Sequence, residues 1–563
     1  MPQESPFDID IPACNILDYL FPTESEPSDE PIWIDADNTE RNLSPKHLLL
    51  WAKRLGLGLQ QLGLDRGDVV MVYSSNHLFV PVAYCGIAGA GYIFSGCNPA
   101  YGVEETVYQI ENTGAKAIFV DPALVATLLK AASNTNFPHN RIFLFSDTEC
   151  SPQRSLSDWR SILAPPSLAS TWRWPSLSPQ LARTTTAVLN YSSGTTGLPK
   201  GVMITHQNII ANTAQSLYMR DLEQPYTPST RPPERWLGFL PLYHAYGQLW
   251  SISAAAKSLT PTYIMRASPF SFPAFLRHIS THRITHLQTA PPVVVMLAKR
   301  LETMRDADTD IRSLRNILCG AAPLSAELQN EVADRFGVRV VQTWGMTELT
   351  CSAMHVPGGR DDRSGSVGYA DPNCEVKLVD DEGREEGGAA AGGRGEVCVR
   401  GPNVCLGYWR NEGATREAFD EDGFLRTGDV AVRDEGGRYW IVDRKKELIK
   451  VKGFQVAPAE MEAVLLENEA VADAAVVGVQ TDHEELPRAY VVLKDHVKGG
   501  KVSEEEIASW TARRVAKHKQ LLGGIVFIEE VPKSPSGKIQ RKIVREWAKR
   551  DAEVSKRSVK ARL

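Results

Sequence analysis

The middle of the chain repeats one hydrophobic pattern: a short β-rich run, a loop with glycine or proline, and then an amphipathic segment with helical spacing. The runs are TAVLNY (186–191), NILCG (316–320) and VRVVQTW (338–344). Strands that alternate with helices predict mostly parallel sheets flanked by helices. Because ligands bind beyond the carboxyl ends of such strands, the three loops that follow these runs are expected at the functional edge.

The pattern changes after Pro458. The segment PAEMEAVLLEN (458–468) has the initial proline and the spacing of a helix, and AAVVGV (474–479), AYVVLKD (489–495) and a basic terminal helix follow it. These elements suffice for a small α/β domain. We therefore predict an α/β protein with a large N-terminal domain of mixed or parallel sheets (1–445) and a small C-terminal α/β domain (446–563).

Two further segments could be misread. The uncharged run 79–99 is interrupted by Pro81, Asn98 and several glycines, which favours a helix and a strand inside an α/β domain over a membrane span. The run EEGGAAAGG (385–393) lies between two strand-like segments and predicts a hairpin loop. The acidic N-terminus lacks the pattern of a secretory signal.

Composition narrows the class of protein. The 563 residues are 43% hydrophobic and 23% charged, as in a globular enzyme with more than one domain. A net charge of -6, from 62 basic and 68 acidic residues, gives no overall attraction to nucleic acid. The nine cysteines form no CxxC pair, so we expect neither a disulfide framework nor a zinc site, and a reducing compartment.

The loop YSSGTTGLPKGV (191–202) has the residue types of a phosphate site but lacks the GxxxxGK[ST] spacing of a Walker A loop. Glycines let backbone N–H groups approach an anion, hydroxyls donate to phosphate oxygens, and a lysine adds charge. The residues are Ser192, Ser193, Gly194, Thr195, Thr196, Gly197 and Lys200. Taken alone, the loop could also be a polar turn.

Six more segments follow in order: LPLYHAYG (240–247), CGAAPL (319–324), QTWGMTE (342–348), FLRTGDV (424–430), DRKKELIKVKGFQV (443–456) and SPSGKIQRK (534–542). With the loop, they resemble the adenylate-forming enzymes, the superfamily of acyl-CoA synthetases, insect luciferases and peptide-synthetase adenylation domains. The resemblance covers nearly the whole chain and favours the coumarate-CoA ligase and luciferase-like members. It implies that a carboxylic acid is joined to AMP with loss of pyrophosphate, and that a thiol then displaces AMP.

The resemblance also implies roles in nucleotide binding. Trp344 stacks on adenine where the family usually has tyrosine, Thr347 meets the α-phosphate, and Glu348 ligates Mg²⁺. Asp429 accepts the ribose hydroxyls with Arg444 beside it. The remaining nucleotide-binding residues of the two central motifs are Gly320, Ala321, Ala322, Pro323, Gln342, Thr343 and Gly345.

The resemblance implies that the small C-terminal domain is mobile and carries several functional residues. Lys538 places its ammonium between the substrate carboxylate and the phosphate during adenylation, where a cation stabilises developing charge. Lys450 and Gln455 match positions near the nucleotide, and Lys446 matches the hinge. Rotation about Lys446 would replace Lys538 by the face with Lys452 and Gly453 and open a path for coenzyme A.

The acyl pocket is expected around His244, Tyr246 and Leu318. By resemblance, His244 lies near the carboxylate and the thiol tunnel, although a lone histidine is also typical of a buried core position. Coumarate-CoA ligases commonly have lysine just before GAAP, whereas this chain has Leu318 and Cys319 there. That departure predicts a more apolar pocket, for a medium-chain fatty, aryl or aryl-alkanoic acid.

Acceptor and compartment follow from the C-terminus. Only a short basic tail follows GKIQRK, so a free thiol such as coenzyme A is expected, with a separate carrier protein as the alternative. Ala561, Arg562 and Leu563 form a conservative variant of the serine-lysine-leucine signal and predict recognition by the peroxisomal import receptor and a peroxisomal matrix enzyme; a cytoplasmic protein with an accidental basic end is the alternative.

Rival interpretations remain at this point. A luciferase-like oxygenase would oxidise the adenylate, and a non-catalytic adenylate-binding protein would stop at binding; retention of Lys538 and Glu348 argues against the second. His282 and His286 have the helical spacing of zinc ligands, but no acidic base or third ligand accompanies them, so a structural role is predicted.

Overall fold

The computed structural model describes ten ranges of the chain, and these ranges contain the helices and strands given below. The described residues are 2–192, 198–227, 229–266, 270–300, 310–385, 393–451, 454–480, 485–497, 502–533 and 538–560. The strands are β1 (Gln3–Glu4), β2 (Trp33–Asp35), β3 (Asn42–Leu43), β4 (Val69–Tyr73), β5 (Ile93–Cys97), β6 (Ala117–Val120), β7 (Ile142–Leu144), β8 (Ser157–Asp158), β9 (Thr186–Ser192), β10 (Lys200–Thr205), β11 (Trp236–Gly238), β12 (Thr262–Ile264), β13 (His286–Thr289), β14 (Asn316–Cys319), β15 (Arg339–Trp344), β16 (Met354–His355), β17 (Tyr369–Ala370), β18 (Glu375–Val379), β19 (Gly393–Arg400), β20 (Leu425–Arg433), β21 (Tyr439–Arg444), β22 (Ile449–Val451), β23 (Phe454–Val456), β24 (Val471–Gln480), β25 (Glu485–Leu493) and β26 (Ile525–Phe527).

Helices separate most of these strands. They are α1 (Ile16–Leu20), α2 (Pro45–Gln61), α3 (Val80–Gly89), α4 (Val103–Thr113), α5 (Val125–Asn134), α6 (Pro166–Thr171), α7 (Pro179–Thr184), α8 (His206–Asp221), α9 (Ala245–Gly247), α10 (Ala255–Ser258), α11 (Phe272–His282), α12 (Pro291–Arg300), α13 (Ala326–Phe336), α14 (Glu412–Ala418), α15 (Pro458–Leu466), α16 (Glu504–Ala512) and α17 (Arg541–Lys560). A π-helical stretch, Gln248–Ala254, joins α9 to α10.

Two large sheets carry most of the N-terminal part. The first has the order β10-β9-β5-β4-β6-β7-β8, and its strands are parallel except for the β9–β10 pair. The second has the order β17-β16-β15-β14-β13-β11-β12-β2-β3, with parallel pairing from β15 to β2 and antiparallel pairs at both ends. These sheets confirm the predicted mixed and parallel α/β architecture.

Apolar faces of the helices cover both sheets. One core packs α2, α3 and the start of α8 against the first sheet, with Trp33, Phe94 and Trp159 fully buried in it. A second core surrounds the second sheet and contains Phe275, Leu287 and Val340. The two sheets approach closely, since a Cβ on Gly96 of β5 would lie 2.8 Å from Cα of Tyr243, just before His244.

A third sheet and the C-terminal elements complete the fold. The sheet β1-β18-β19-β20-β21 is antiparallel, and its β20–β21 pair sets Asp429 opposite Arg444. After it come the hairpin β22–β23 and the sheet β24-β25-β26, which packs against α15 and α17. The helix predicted at Pro458 is confirmed as α15, and the two predicted strands as parts of β24 and β25.

The ambiguous segments are also located. The uncharged run 79–99 forms α3 and β5, both buried, so its interpretation as a helix and strand of the α/β core is confirmed. Within the described ranges, none of the helices has the length and apolar character that a membrane crossing requires. The predicted hairpin loop at 385–393 lies mostly outside the described residues.

Candidate active site

The candidate site lies where β9, β14 and β15 end. Ser192 is the last residue of β9, Gly320 follows β14, and Trp344 ends β15, as the strand–loop pattern predicts. Asn190 of β9 and Gln248 exchange two amide hydrogen bonds of 2.8 and 3.0 Å, which tie the first sheet to the helix that follows His244. The loop residues Ser193, Gly194, Thr195, Thr196 and Gly197 lie outside the described residues.

Glu348 is a buried carboxylate held from two directions. It lies in the short 3-10 helix Thr347–Leu349 and is 5% exposed. The Tyr408 hydroxyl donates to its Oε1 at 2.9 Å, and the Cys405 N–H donates to its backbone carbonyl at 2.9 Å. Burial and then Glu348 raise the pKa of Tyr408, so the phenol stays protonated and keeps donating.

Tyr408 also connects this carboxylate to the loop strand. The Lys200 ammonium lies over the Tyr408 ring, 4.8 Å from its centre, and Tyr408 forms a bridge with Val202 of β10. The sequence analysis missed Tyr408. Its only signal was an aromatic pair, Tyr408 and Trp409, after β19, and such pairs are also common in cores.

Trp344, Asp429 and Arg444 form one connected group. The Trp344 indole N–H donates to Asp429 Oδ2 at 2.9 Å, and Arg444 Nε lies 3.2 Å from Asp429 Oδ1. Within the described part of the chain, Asp429 Oδ1 is buried and accepts no hydrogen bond of good geometry. A ribose hydroxyl would supply the missing donor, so this group fits the sugar of a nucleotide.

The backbone beside this group is closely packed, and glycine is needed at two positions. A Cβ on Gly345 would lie 2.0 Å from the Cys351 carbonyl oxygen, and one on Gly320 would lie 2.9 Å from Thr343 Cγ2. Ala321 has φ of 72°, a left-handed conformation that non-glycine residues adopt at a cost of about 1–3 kcal/mol. Strain of this kind clusters at ligand sites, as expected for Gly320, Ala321, Ala322 and Pro323 beside a purine.

Two predicted nucleotide-binding residues have their side chains bonded inside the protein. Gln342 donates from its amide to Leu324 O at 3.0 Å and to Gln329 Oε1 at 2.8 Å. Thr343 donates from its hydroxyl to Met354 O at 2.8 Å. Their side chains thus hold β15 in place.

His244 begins α9, and its ring caps that helix. Its Nδ1 accepts from the Tyr246 N–H at 3.3 Å, which puts the proton of a neutral ring on Nε2. Burial lowers the pKa of His244 to about 4, and the Lys538 ammonium adds to the shift. The ring is therefore neutral at physiological pH and offers a hydrogen-bond donor.

Tyr246 and Leu318, which were predicted to line the acyl pocket, lie next to each other. The Tyr246 hydroxyl donates to the Leu318 carbonyl at 3.0 Å and is 3.4 Å from the position of a Cβ on Gly320. Burial raises the pKa of Tyr246 well above its usual value, so it remains a neutral donor. The pair joins the helix after His244 to β14.

Lys538 reaches this site from the C-terminal part of the chain. Burial lowers the pKa of Lys538, and Arg444 adds to that effect, while Asp429, Glu348 and Glu447 oppose it. The structure thus brings Lys538 together with Glu348, Asp429, Arg444 and His244. The three carboxylates favour the charged ammonium and so oppose the effect of its burial.

The other predicted residues of the small domain are placed differently. Lys450 of β22 pairs with Gln455 of β23 across a hairpin, and both Lys450 and Lys446 are exposed. Lys452 and Gly453 lie outside the described residues. The roles predicted for these residues stay predictions.

Arg541 fastens the C-terminal elements near Lys538. Its Nε lies 2.8 Å from Glu447 Oε2 and its Nη2 lies 2.9 Å from Glu462 Oε2, all three side chains being largely buried. The sequence analysis missed this group, because its members are separated by up to 94 residues and belong to no one motif.

The histidine pair 282 and 286 is not on one helix. His282 ends α11, donates from Nε2 to the Ala36 carbonyl at 2.8 Å, and stacks on Tyr263. His286 begins β13 and lies 2.8 Å from Thr285 Oγ1. The helical spacing was therefore misleading, because a turn separates the two residues.

Comparison with known proteins identifies the family. A model described as AMP-binding enzyme matches residues 23–409, and one described as AMP-binding enzyme C-terminal domain matches residues 460–538. The chain belongs to the AMP-binding enzyme family. The resemblance inferred from the motifs is thereby confirmed.

Several relatives of this AMP-binding enzyme are named as acid–CoA ligases. It is 36% identical to phenylacetyl-CoA ligase epaB of Aspergillus niger over 96% of this chain and 98% of that protein. It is 35% identical to the probable 4-coumarate–CoA ligase 3 of Dictyostelium discoideum over 88% of each chain. The anthranilate CoA ligase AuaEII, solved with anthranoyl-AMP, has a TM-score of 0.83 and 25% identity, covering 96% of this chain and 98% of that one.

The indole of Trp344 gives a first test of the site. Trp344→Phe keeps an aromatic face for adenine but removes the N–H that orients Asp429, so we expect ATP to bind about three- to tenfold more weakly in calorimetry. Trp440→Phe is the matched control, since the Trp440 N–H donates to Ser364 O at 3.1 Å on the exposed surface. Unchanged ATP affinity in Trp344→Phe would show that the bond to Asp429 is irrelevant to the nucleotide.

Proposed function

We propose that this protein is an ATP-dependent acid–CoA ligase that converts a carboxylic acid and ATP to an acyl-adenylate and pyrophosphate, and then transfers the acyl group to coenzyme A. The observation that carries the proposal is the meeting of Lys538 with Glu348, Asp429, Arg444 and His244. The names of the relatives, phenylacetyl-CoA ligase and 4-coumarate–CoA ligase, support the same reaction.

In the first step a carboxylate oxygen attacks the α-phosphorus and pyrophosphate leaves. Two anions must approach each other, so a positioned cation lowers the barrier. The Lys538 ammonium supplies that charge, and neutral His244 donates to the carboxylate without adding a competing positive charge. Asp429 and Trp344 hold the nucleoside while Thr347 meets the α-phosphate.

Mg²⁺ fits this site through Glu348. In the described residues no group of three or more histidine, cysteine, aspartate or glutamate side chains converges as a metal cage. A single buried carboxylate still suits Mg²⁺, which binds one or two carboxylates and takes its other ligands from phosphate and water. When bound there, Mg²⁺ would neutralise phosphate charge, and Tyr408 holds the Glu348 carboxylate that would bind it.

In the second step the coenzyme A thiol attacks the acyl carbon and AMP leaves. We infer that residues 446–563 rotate as a unit about Lys446, which withdraws Lys538 and admits the thiol by the face that holds Lys452 and Gly453. Lys450 and Gln455 move with that unit. The exposure of Lys446 between β21 and β22 supports a hinge there.

The acid is proposed to be a medium-chain fatty, aryl or aryl-alkanoic acid. Leu318 and Tyr246 wall the pocket, and the relatives named as phenylacetyl- and coumarate-CoA ligases support an aryl group. The adenylate has two alternative fates. Its acyl group could pass to a separate carrier protein, or the adenylate could be oxidised as in luciferases.

Exchange of labelled pyrophosphate into ATP tests the first step. Across a panel of these acids we expect acid-dependent exchange, followed by thioester formation when coenzyme A is added, with acid-free enzyme as the control. Exchange without thioester would contradict the ligase, and oxygen uptake would indicate the oxygenase. No exchange with any acid would leave only adenylate binding.

We also propose that the enzyme works in the peroxisomal matrix, or otherwise in the cytoplasm. The support is the terminal Ala561-Arg562-Leu563, which lies outside the described residues. A fluorescent protein fused at the N-terminus should give punctate fluorescence that disperses when residues are appended after Leu563. Puncta that persist with the blocked terminus would exclude this signal.

A further inference from the structure

Two tyrosine hydroxyls fasten the phosphate loop, residues 191–202, to helix α4. The Tyr108 hydroxyl donates to the Pro199 carbonyl at 2.7 Å, just before β10 begins. The Tyr191 hydroxyl donates to Asn112 Oδ1 at 2.6 Å, just before β9 ends. One bond therefore holds the chain where it enters the loop, and the other holds it where it leaves.

Both bonds reach the same face of α4. Tyr108 and Asn112 are four residues apart, so their side chains lie one above the other on the helix. Burial raises the pKa of Tyr108 and of Tyr191, so both hydroxyls stay protonated and keep donating. The two ends of the loop are thus fixed against one helix rather than against two elements that could move separately.

Helix α4 is itself fixed to the first sheet. Gln109 donates from its amide to the Gly96 carbonyl of β5 at 3.0 Å. At the start of the helix the Gly102 N–H donates to Glu105 Oε2 at 2.6 Å, and at its end Gly114 has φ of 65°, the left-handed conformation that glycine adopts without strain. Because α4 is capped at both ends and bonded to β5, it can set the position of the chain that it holds.

The segment that contains Tyr408 holds β10 along its other edge. The Trp409 N–H donates to the Gly201 carbonyl at 2.7 Å. Strand β10 is therefore paired with β9 on one side and with this segment on the other. The strand that begins at Lys200 has little freedom to shift, and the ammonium of Lys200 lies over the Tyr408 ring.

This support matters because Ser192 and Lys200 face each other across the β9–β10 pair. Lys200 carries the charge, and Ser192 one of the hydroxyls, that the loop offers to phosphate oxygens. Such groups stabilise a leaving anion best when they are already in place, since moving them during the reaction costs free energy. A misplacement of about 1 Å can slow a reaction about 100-fold.

We propose that Tyr108 and Asn112 are positioning residues for the pyrophosphate end of ATP, because they hold the two ends of the loop that presents Ser192 and Lys200. Both act through the loop and not by contact with the nucleotide. The inference rests on the proposed ligase function and concerns only the steps in which the β- and γ-phosphates take part. Transfer of the acyl group from the adenylate to a thiol involves no pyrophosphate, so it should not depend on these two residues.

Binding of ATP and of AMP separates this role from a contribution to stability alone. Tyr108→Phe removes only a hydroxyl, and Asn112→Leu removes the acceptor for Tyr191. In each variant we expect the Kd for ATP in calorimetry and the KM for pyrophosphate in the exchange reaction to rise about three- to tenfold. The Kd for AMP, which lacks both phosphates, and thioester formation from a preformed acyl-adenylate should stay near the wild-type values. Asn112→Asp keeps an acceptor and should restore most of the ATP affinity.

Tyr73→Phe is the matched control, because the Tyr73 hydroxyl donates to the Tyr101 carbonyl at 2.7 Å and does not reach the phosphate loop. Equal weakening of ATP and AMP, or unchanged ATP affinity in both variants, would overturn the proposal while wild-type exchange leaves the ligase standing. No exchange with any acid would instead contradict the ligase, and the two binding constants would still decide the role of Tyr108 and Asn112. The variants remove the two bonds independently, so if one folds poorly the other decides.

Discussion

Compensation of charge around Lys538 is the interaction on which the candidate site depends. Its ammonium is buried next to the Arg444 guanidinium, and the carboxylates of Asp429, Glu348 and Glu447 favour its charged form. Each of those carboxylates is fixed by a different part of the fold: Asp429 by Trp344 at the end of β15, Glu348 by Tyr408 from the segment beside β10, and Glu447 by Arg541. Anions brought by ATP and by the acid would enter an arrangement already built to balance charge.

The two large sheets give this site its direction. The parallel strands β9, β14 and β15 end where Ser192, Gly320 and Trp344 of the candidate site lie. Gly96 of β5 lets the first sheet approach Tyr243, next to His244.

Sequence patterns predicted the elements well because they depend on local periodicity. The strands 186–191, 316–320 and 338–344 and the helix at Pro458 formed as expected, and the motif residues Glu348, Asp429 and Lys538 came together. The motifs could not show which side chains elsewhere in the sequence form hydrogen bonds with the motif residues. Tyr408 meets Glu348 across 60 residues, and Asp429 meets Trp344 across 85.

The most direct test of the account removes the ammonium and measures the two half-reactions separately. Lys538→Ala should slow adenylate formation by about 100-fold or more in single-turnover experiments, since a positioned charge acts mainly in that step. Thioester formation from a preformed acyl-adenylate should stay near the wild-type rate, as should both steps in Lys542→Ala, an exposed lysine of the same motif. Unchanged adenylation in Lys538→Ala, or an equal loss in both half-reactions, would contradict the account.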